Sequence, residues 1–123
     1  MQTNLGLVAI VDDDAPMRKS IERLLRASNY STAAFASAEE FLQSGVADQA
    51  LGLVLDIHLA GMSGIELRRR LLAAGSTLPV VFITAFDEEA TRAEALAVGC
   101  VDLLHKPFEA HRLTEALQRA TKS

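Results

Sequence analysis

The chain has 123 residues, half of them hydrophobic, which suits one domain with a single two- or three-layer core and excludes a disordered segment. Its 12 basic and 16 acidic residues give a net charge of −4, which argues against the basic face of a nucleic-acid-binding domain. The single cysteine, Cys100, excludes an internal disulfide, no Cys/His spacing suggests zinc, and no apolar run approaches the ~18 residues that span a bilayer. The start, Met1-Gln-Thr-Asn-Leu-Gly6, lacks the basic residues and apolar core of a signal peptide, so the chain is expected to be soluble and cytoplasmic.

Five short apolar runs alternate with five segments of helical pattern. The first run, Leu7–Val11, is continuously hydrophobic and ends on Asp12-Asp13-Asp14. Residues 15–28 follow with Met17, Ile21, Leu24 and Leu25 at helical spacing, and Pro16 falls in the first turn, where a missing N–H costs nothing. Ser31–Phe35 is a more polar run that suits a sheet edge. Ser37-Ala-Glu-Glu40 is a capping-box pattern opening a second helix. Leu51–Leu55 is again apolar and ends on Asp56, and residues 64–74 turn Ile65, Leu71 and Leu72 inward with Arg68-Arg69-Arg70 as a solvated face. Pro79–Thr84 is the fourth run, Asp87–Val98 an Ala-rich helix stopped by Gly99, and Val101–Leu104 the fifth run. Glu109–Ala120 closes the series with Leu113, Ala116, Leu117 and Ala120 on one stripe. Strict βα alternation predicts a parallel sheet with right-handed crossovers and helices on both faces, a three-layer α/β/α sandwich. Residues 1–123 are expected to form one domain, with any output domain outside this chain.

In such sheets ligands bind beyond the carboxyl ends of the strands. There the sequence places Asp12, Asp13, Asp14, Asp56, Thr84-Ala85 and His105-Lys106-Pro107-Phe108. Clustered carboxylates repel one another unless a positive charge sits among them. Only three of the 12 basic residues are lysines, Lys19, Lys106 and Lys122, so a lysine just past an apolar strand stands out. Carboxylates with a carbonyl and water are the donors a hard Mg²⁺ prefers, and an Asp carboxylate can act as a nucleophile toward phosphorus. Asp14, before Ala-Pro, reads as a helix cap rather than a ligand. Cys100 reads as a small buried hydrophobe, and His105 and His111 as solvent-facing.

The set Val11-Asp12-Asp13, Asp56, Thr84-Ala85 and Lys106-Pro107-Phe108 resembles the receiver domain of bacterial two-component response regulators. Met17-Arg-Lys-Ser20, Ser37-Ala-Glu-Glu-Phe-Leu42 and Gly99-Cys-Val-Asp-Leu-Leu-His-Lys-Pro-Phe108 are similar to the FixJ/NarL-type branch. The resemblance covers essentially the whole chain and implies a flavodoxin-like (βα)5 fold with strand order 2-1-3-4-5. It implies that Asp56 accepts a phosphoryl group from a sensor histidine kinase. Asp12, Asp13, Asp56 and the backbone carbonyl of His58 would hold Mg²⁺, with Asp13 the direct ligand and Asp12 acting partly through water. Lys106 would pair with the phosphoryl oxygens, Thr84 would swing in to hydrogen-bond one of them, and the backbones of Ala85 and Ile57 would contact the group. The Lys106–Pro107 bond is expected to be cis. The face formed by residues 87–121 would serve dimerisation or control of an output domain, which the FixJ resemblance implies is a helix-turn-helix DNA binder, although a stand-alone adaptor is equally compatible.

Two positions depart from the family pattern. Leu103 stands where an aromatic residue usually relays the motion of Thr84, leaving Phe82 or Phe86 as substitutes, and Ala60 stands where a proline is usual after the phosphoacceptor. These departures suggest an alternative, a degenerate receiver that binds partners without phosphorylation. A phosphatase using Asp56 as nucleophile would want an acid two residues later, where this chain has His58. An FMN-binding module would want a Ser/Thr/Gly phosphate loop in place of three aspartates. The side chain of His58 is expected at the mouth of the site, where its bulk would tune water access, with Phe86 on the other side.

Overall fold

The computed structural model describes residues 3–121, so the expected domain, 1–123, extends two residues beyond them at each end. The apolar runs form β1 (Leu7–Val11), β2 (Ser31–Phe35), β3 (Gly52–Asp56), β4 (Val80–Thr84) and β5 (Asp102–His105). All pair in parallel, in the order β2-β1-β3-β4-β5. β3 and β4 are buried throughout, whereas every residue of β2 is partly exposed, as its polar composition and edge position require.

The strands alternate between two cores. Ala9, Val11, Leu53, Leu55, Val80, Phe82 and Leu103 face one side, packed with residues of α2 (Ala38–Ser44), α3 (Gly64–Ala73) and α4 (Glu89–Val98). Val8, Ile10, Val54, Val81, Ile83 and Leu104 face the other, under α1 (Ala15–Ala27) and α5 (Ala110–Thr121). This is the expected three-layer sandwich. Burying a side chain such as Ile10, Leu55 or Phe82 contributes on the order of 2 kcal/mol each, so the central strand ends form a stiff platform.

Small shifts in the element boundaries have physical causes. β3 begins and ends one residue later than the apolar run, because the ladder with β4 continues to Asp56 opposite Ile83. β5 likewise runs through His105, which pairs with Thr84. Both shifts draw polar residues into the sheet. α4 starts at Glu89 rather than Asp87, and Glu88 at its N-cap position makes no side-chain cap bond. A 3₁₀ turn, Val46–Asp48, follows Gly45 in the left-handed region and was not evident from periodicity. The Lys106–Pro107 bond is cis, as expected.

The capping box opening α2 takes a variant form. The Glu40 N–H donates to Ser37 Oγ at 3.1 Å, while the Glu40 carboxylate accepts the Ala36 N–H at 3.0 Å. Ser63 caps α3 in the same way, accepting the Glu66 N–H at 3.1 Å. Gly64, the first residue of α3, lies against the end of β3. A Cβ there would overlap the Asp56 carbonyl oxygen and lie 3.0 Å from Asp56 C and Ile57 Cα. Because those neighbours are backbone, Gly64→Ala is expected to cost about 1–3 kcal/mol in urea unfolding; an unchanged midpoint would show that the loop yields freely.

Candidate phosphoryl and metal site

The register explains which side chains meet. Along the pleat, Asp12 follows Ile10, Asp56 follows Val54 and Lys106 follows Leu104, all on the α1/α5 side of the sheet. Lys106 Nζ lies 2.9 Å from Asp12 Oδ2 and 3.1 Å from Asp56 Oδ2, bridging two carboxylates that begin 44 residues apart in sequence. Asp12 is fully buried, Asp56 is 5 % exposed and the Lys106 side chain 12 %. Asp12 Oδ1 accepts the Asp14 N–H at 2.9 Å, and Asp56 Oδ1 accepts the His58 N–H at 3.1 Å. Asp13 stands exposed beside them, and one ligand oxygen from each of Asp12, Asp13 and Asp56 falls within 4.8 Å of the others.

The electrostatics of this arrangement are incomplete. Burial raises the Asp56 carboxyl from 3.8 to about 6, and the charge of Asp12 adds to the rise. Lys106 and the His58 N–H oppose it without cancelling it. Burial would lower the Lys106 ammonium, but its bonds to Asp12 and Asp56 more than offset that and raise it. One ammonium therefore stabilises two carboxylates and leaves net negative charge in a buried place. The donors present, three carboxylates and the His58 carbonyl, which accepts no hydrogen bond among the described residues, fit an oxygen-seeking divalent cation such as Mg²⁺.

Two expectations, for Ile57 and for Asp14, require correction. The Ile57 N–H, expected at the phosphoryl group, is used in the sheet, donating to the Ile83 carbonyl at 3.0 Å. The loop amide that points to the carboxylate is that of His58. Asp14 holds the N-cap position of α1 but its carboxylate makes no cap bond; its own N–H is the useful group. Ala85 lies exposed at the strand edge. Thr84 is 4 % exposed, and its hydroxyl accepts the Phe86 N–H at 3.1 Å and donates to the Phe86 carbonyl at 3.2 Å. The hydroxyl is thus held within its own loop rather than by Asp56 or Lys106. Periodicity gave no indication of Arg18, whose Nη1 donates to the Asp12 carbonyl at 2.7 Å; an arginine on the inner end of α1 was the available signal.

His58 and Phe86, expected on opposite sides of the site, instead touch, their rings 4.6 Å apart in an edge-to-face arrangement. His58 Nε2 is buried without a hydrogen bond among the described residues, and Glu88 Oε1 at 4.0 Å is too distant to supply one. Of the two aromatics proposed to replace the relay at Leu103, Phe82 is fully buried in the core opposite Leu103, whereas Phe86 is 54 % exposed with its ring against His58.

Residues 8–118 match the family model described as "Response regulator receiver domain". The chain belongs to the response regulator receiver domain family. It is 37 % identical over 117 residues to Nodulation protein W of Bradyrhizobium diazoefficiens, covering 95 % of this chain and 52 % of that protein. With the transcriptional regulatory protein FixJ of the same species it shares 35 % identity over 121 residues, covering 98 % of this chain and 58 % of that one. The crystal structure of FixJ-N superposes with a TM-score of 0.85 at 35 % identity, covering 98 % of this chain and 95 % of that one. The receiver domain thus spans a little over half the length of these two full-length relatives. Among the described residues, no helix is long and apolar enough to cross a membrane.

The raised Asp56 carboxyl has a thermodynamic consequence. A folded-state value near 6 against 3.8 in the unfolded chain means that the folded receiver binds this proton more tightly. Metal-free stability should therefore fall as pH rises through the window from about 4 to 6, by roughly 2 kcal/mol for this group. Asp56→Asn, which cannot ionise, should be more stable than the parent at pH 7 without metal and lose that advantage near pH 4. Urea titrations at both pH values test this; a variant less stable at pH 7 would show that the Lys106 contact outweighs burial.

Proposed function

We propose that this receiver domain takes a phosphoryl group from the phosphohistidine of a sensor histidine kinase onto Asp56. The observation that carries the reading is Lys106 bonded to both Asp12 and Asp56 at a buried sheet edge, with Asp13 alongside. An Asp56 carboxylate oxygen attacks phosphorus, the bond from phosphorus to the kinase imidazole breaks, and an acyl phosphate forms. Mg²⁺, held by Asp12, Asp13, Asp56 and the His58 carbonyl, supplies positive charge to the transferring oxygens when bound. Lys106 gives up its contact with Asp56 to hold a phosphoryl oxygen, and the His58 and Ala85 amides provide further donors.

The same chemistry supplies the switch. The new charge offers Thr84 a stronger acceptor than the Phe86 carbonyl, so its hydroxyl exchanges one partner for the other. That releases the Phe86 backbone and the exposed segment leading into α4. α4 is suited to move, since Ala95 is its one buried residue. Residues 87–121 are the face through which the domain pairs with a second copy or controls an output domain. The relatives named as transcriptional regulators make a transcriptional output the favoured setting, in the cytoplasm. The complete set of acids, lysine and threonine supports this reading over a degenerate receiver, and His58 in place of an acid disfavours a phosphomonoester hydrolase.

Incubation with acetyl phosphate and Mg²⁺, followed by intact mass measurement and gel filtration, tests the proposal. One phosphoryl group per chain is expected, absent in Asp56→Asn, absent without Mg²⁺ and formed at least tenfold more slowly in Lys106→Ala. Thr84→Ala should still be phosphorylated but should not change its oligomeric state. No modification at saturating donor would leave the degenerate reading.

A further inference from the structure

We infer that Glu39, on the neighbouring helix α2, is a positioning residue that fixes the loop carrying the His58 carbonyl and thereby sets the affinity of the site for its divalent cation. The inference rests on the metal-assisted phosphoacceptor reading. The loop runs from Ile57 to Ser63 and is tied at its base by Gly64 N–H to the Ile57 carbonyl at 2.9 Å and by His58 N–H to Asp56 Oδ1 at 3.1 Å. Its tip, Leu59-Ala60-Gly61-Met62, has no proline ring to fix the backbone. Among the described residues, the hydrogen bond that joins this tip to another element is Met62 N–H to Glu39 Oε2, at 3.0 Å across 23 residues.

Two features indicate that the seat is built for this carboxylate. Gly61 has φ +78°, a left-handed turn that favours glycine, and Glu39 Oε2 lies over this bare Cα, 2.7 Å from where a Cβ would stand. Glu40 already serves the helix cap, which leaves Glu39 free to reach across. The Met62 N–H, the N–H of Glu39 itself and the charge of Arg70 hold the Glu39 carboxyl below its ordinary value, so it is ionised at neutral pH and the bond is charge-assisted. The simpler alternative is an acid in the first turn of α2 that only complements the helix dipole. That role would affect helix stability, without protecting the Met62 amide or altering metal binding.

The test uses the full chain with Mg²⁺ alone as probe, titrated by NMR, together with hydrogen exchange at Met62 and thermal melting. Glu39→Ala should exchange the Met62 amide faster and bind Mg²⁺ about threefold to tenfold more weakly, at the mild end of effects for residues that orient a ligand, with little change in melting temperature. Glu39→Gln keeps an acceptor oxygen but loses the charge, and should fall between the parent and Glu39→Ala in both readouts. Equal Mg²⁺ affinity in the parent and Glu39→Ala overturns the inference, as does equal weakening in the Ala and Gln variants. A parent chain that binds no Mg²⁺ and takes no phosphoryl group overturns the phosphoacceptor reading, and this inference with it; a parent that does both while Glu39→Ala is unaffected overturns this inference alone.

Discussion

One ammonium shared by two buried carboxylates governs the chemistry of this fold. Lys106 reaches Asp12 and Asp56 at hydrogen-bond distance where little water is present, and the three groups together still carry negative charge. An isolated buried carboxylate would protonate to escape this cost, and Asp56 is displaced in that direction. The site is therefore poised between two ways of relieving its charge, taking up a proton or taking up a cation. A divalent ion is the stronger remedy because it serves all three acids at once. The strain is local and tolerable because both aspartates end central strands whose apolar residues are fully buried.

The rest of the fold decides where that imbalance sits. Parallel pairing brings residues far apart in sequence to one edge, and the pleat sets Asp12, Asp56 and Lys106 on one side with Thr84 on the other. Thr84 is thus near the chemistry but occupied by its own loop. A receiver with its threonine already turned to Asp56 would have nothing to switch. The approach to α4 and the Phe86 ring are exposed, while Phe82 and Leu103 are packed in the core.

Much of this was legible in the sequence because two signals agreed. Apolar runs mark the strands, with Asp12 and Asp56 directly after two of them and Lys106 two residues past another, so the cluster is visible in the sequence. The boundaries of β3 and β5 were not, since Asp56 and His105 enter the ladder through pairing with β4 rather than through their own propensity. That the Ile57 N–H is engaged while the His58 N–H faces Asp56 is hidden for a related reason: whether an N–H is free depends on the partner strand. Asp14 looks like a cap because of its place before Pro16, yet its carboxylate is not used that way. Arg18 and Glu39 bond to backbone groups of distant segments, and such contacts leave no periodic trace. The branch of the family was readable from longer segments, and FixJ and Nodulation protein W agree with it.

The most direct measurement of the central claim is the titration of the Asp56 carboxyl by carbon-detected NMR, with and without Mg²⁺. The account predicts a midpoint near 6 in the metal-free domain, well above 3.8, and a clear downward displacement once Mg²⁺ is present. An ordinary midpoint that Mg²⁺ does not move would contradict it, showing that Lys106 alone satisfies the acids.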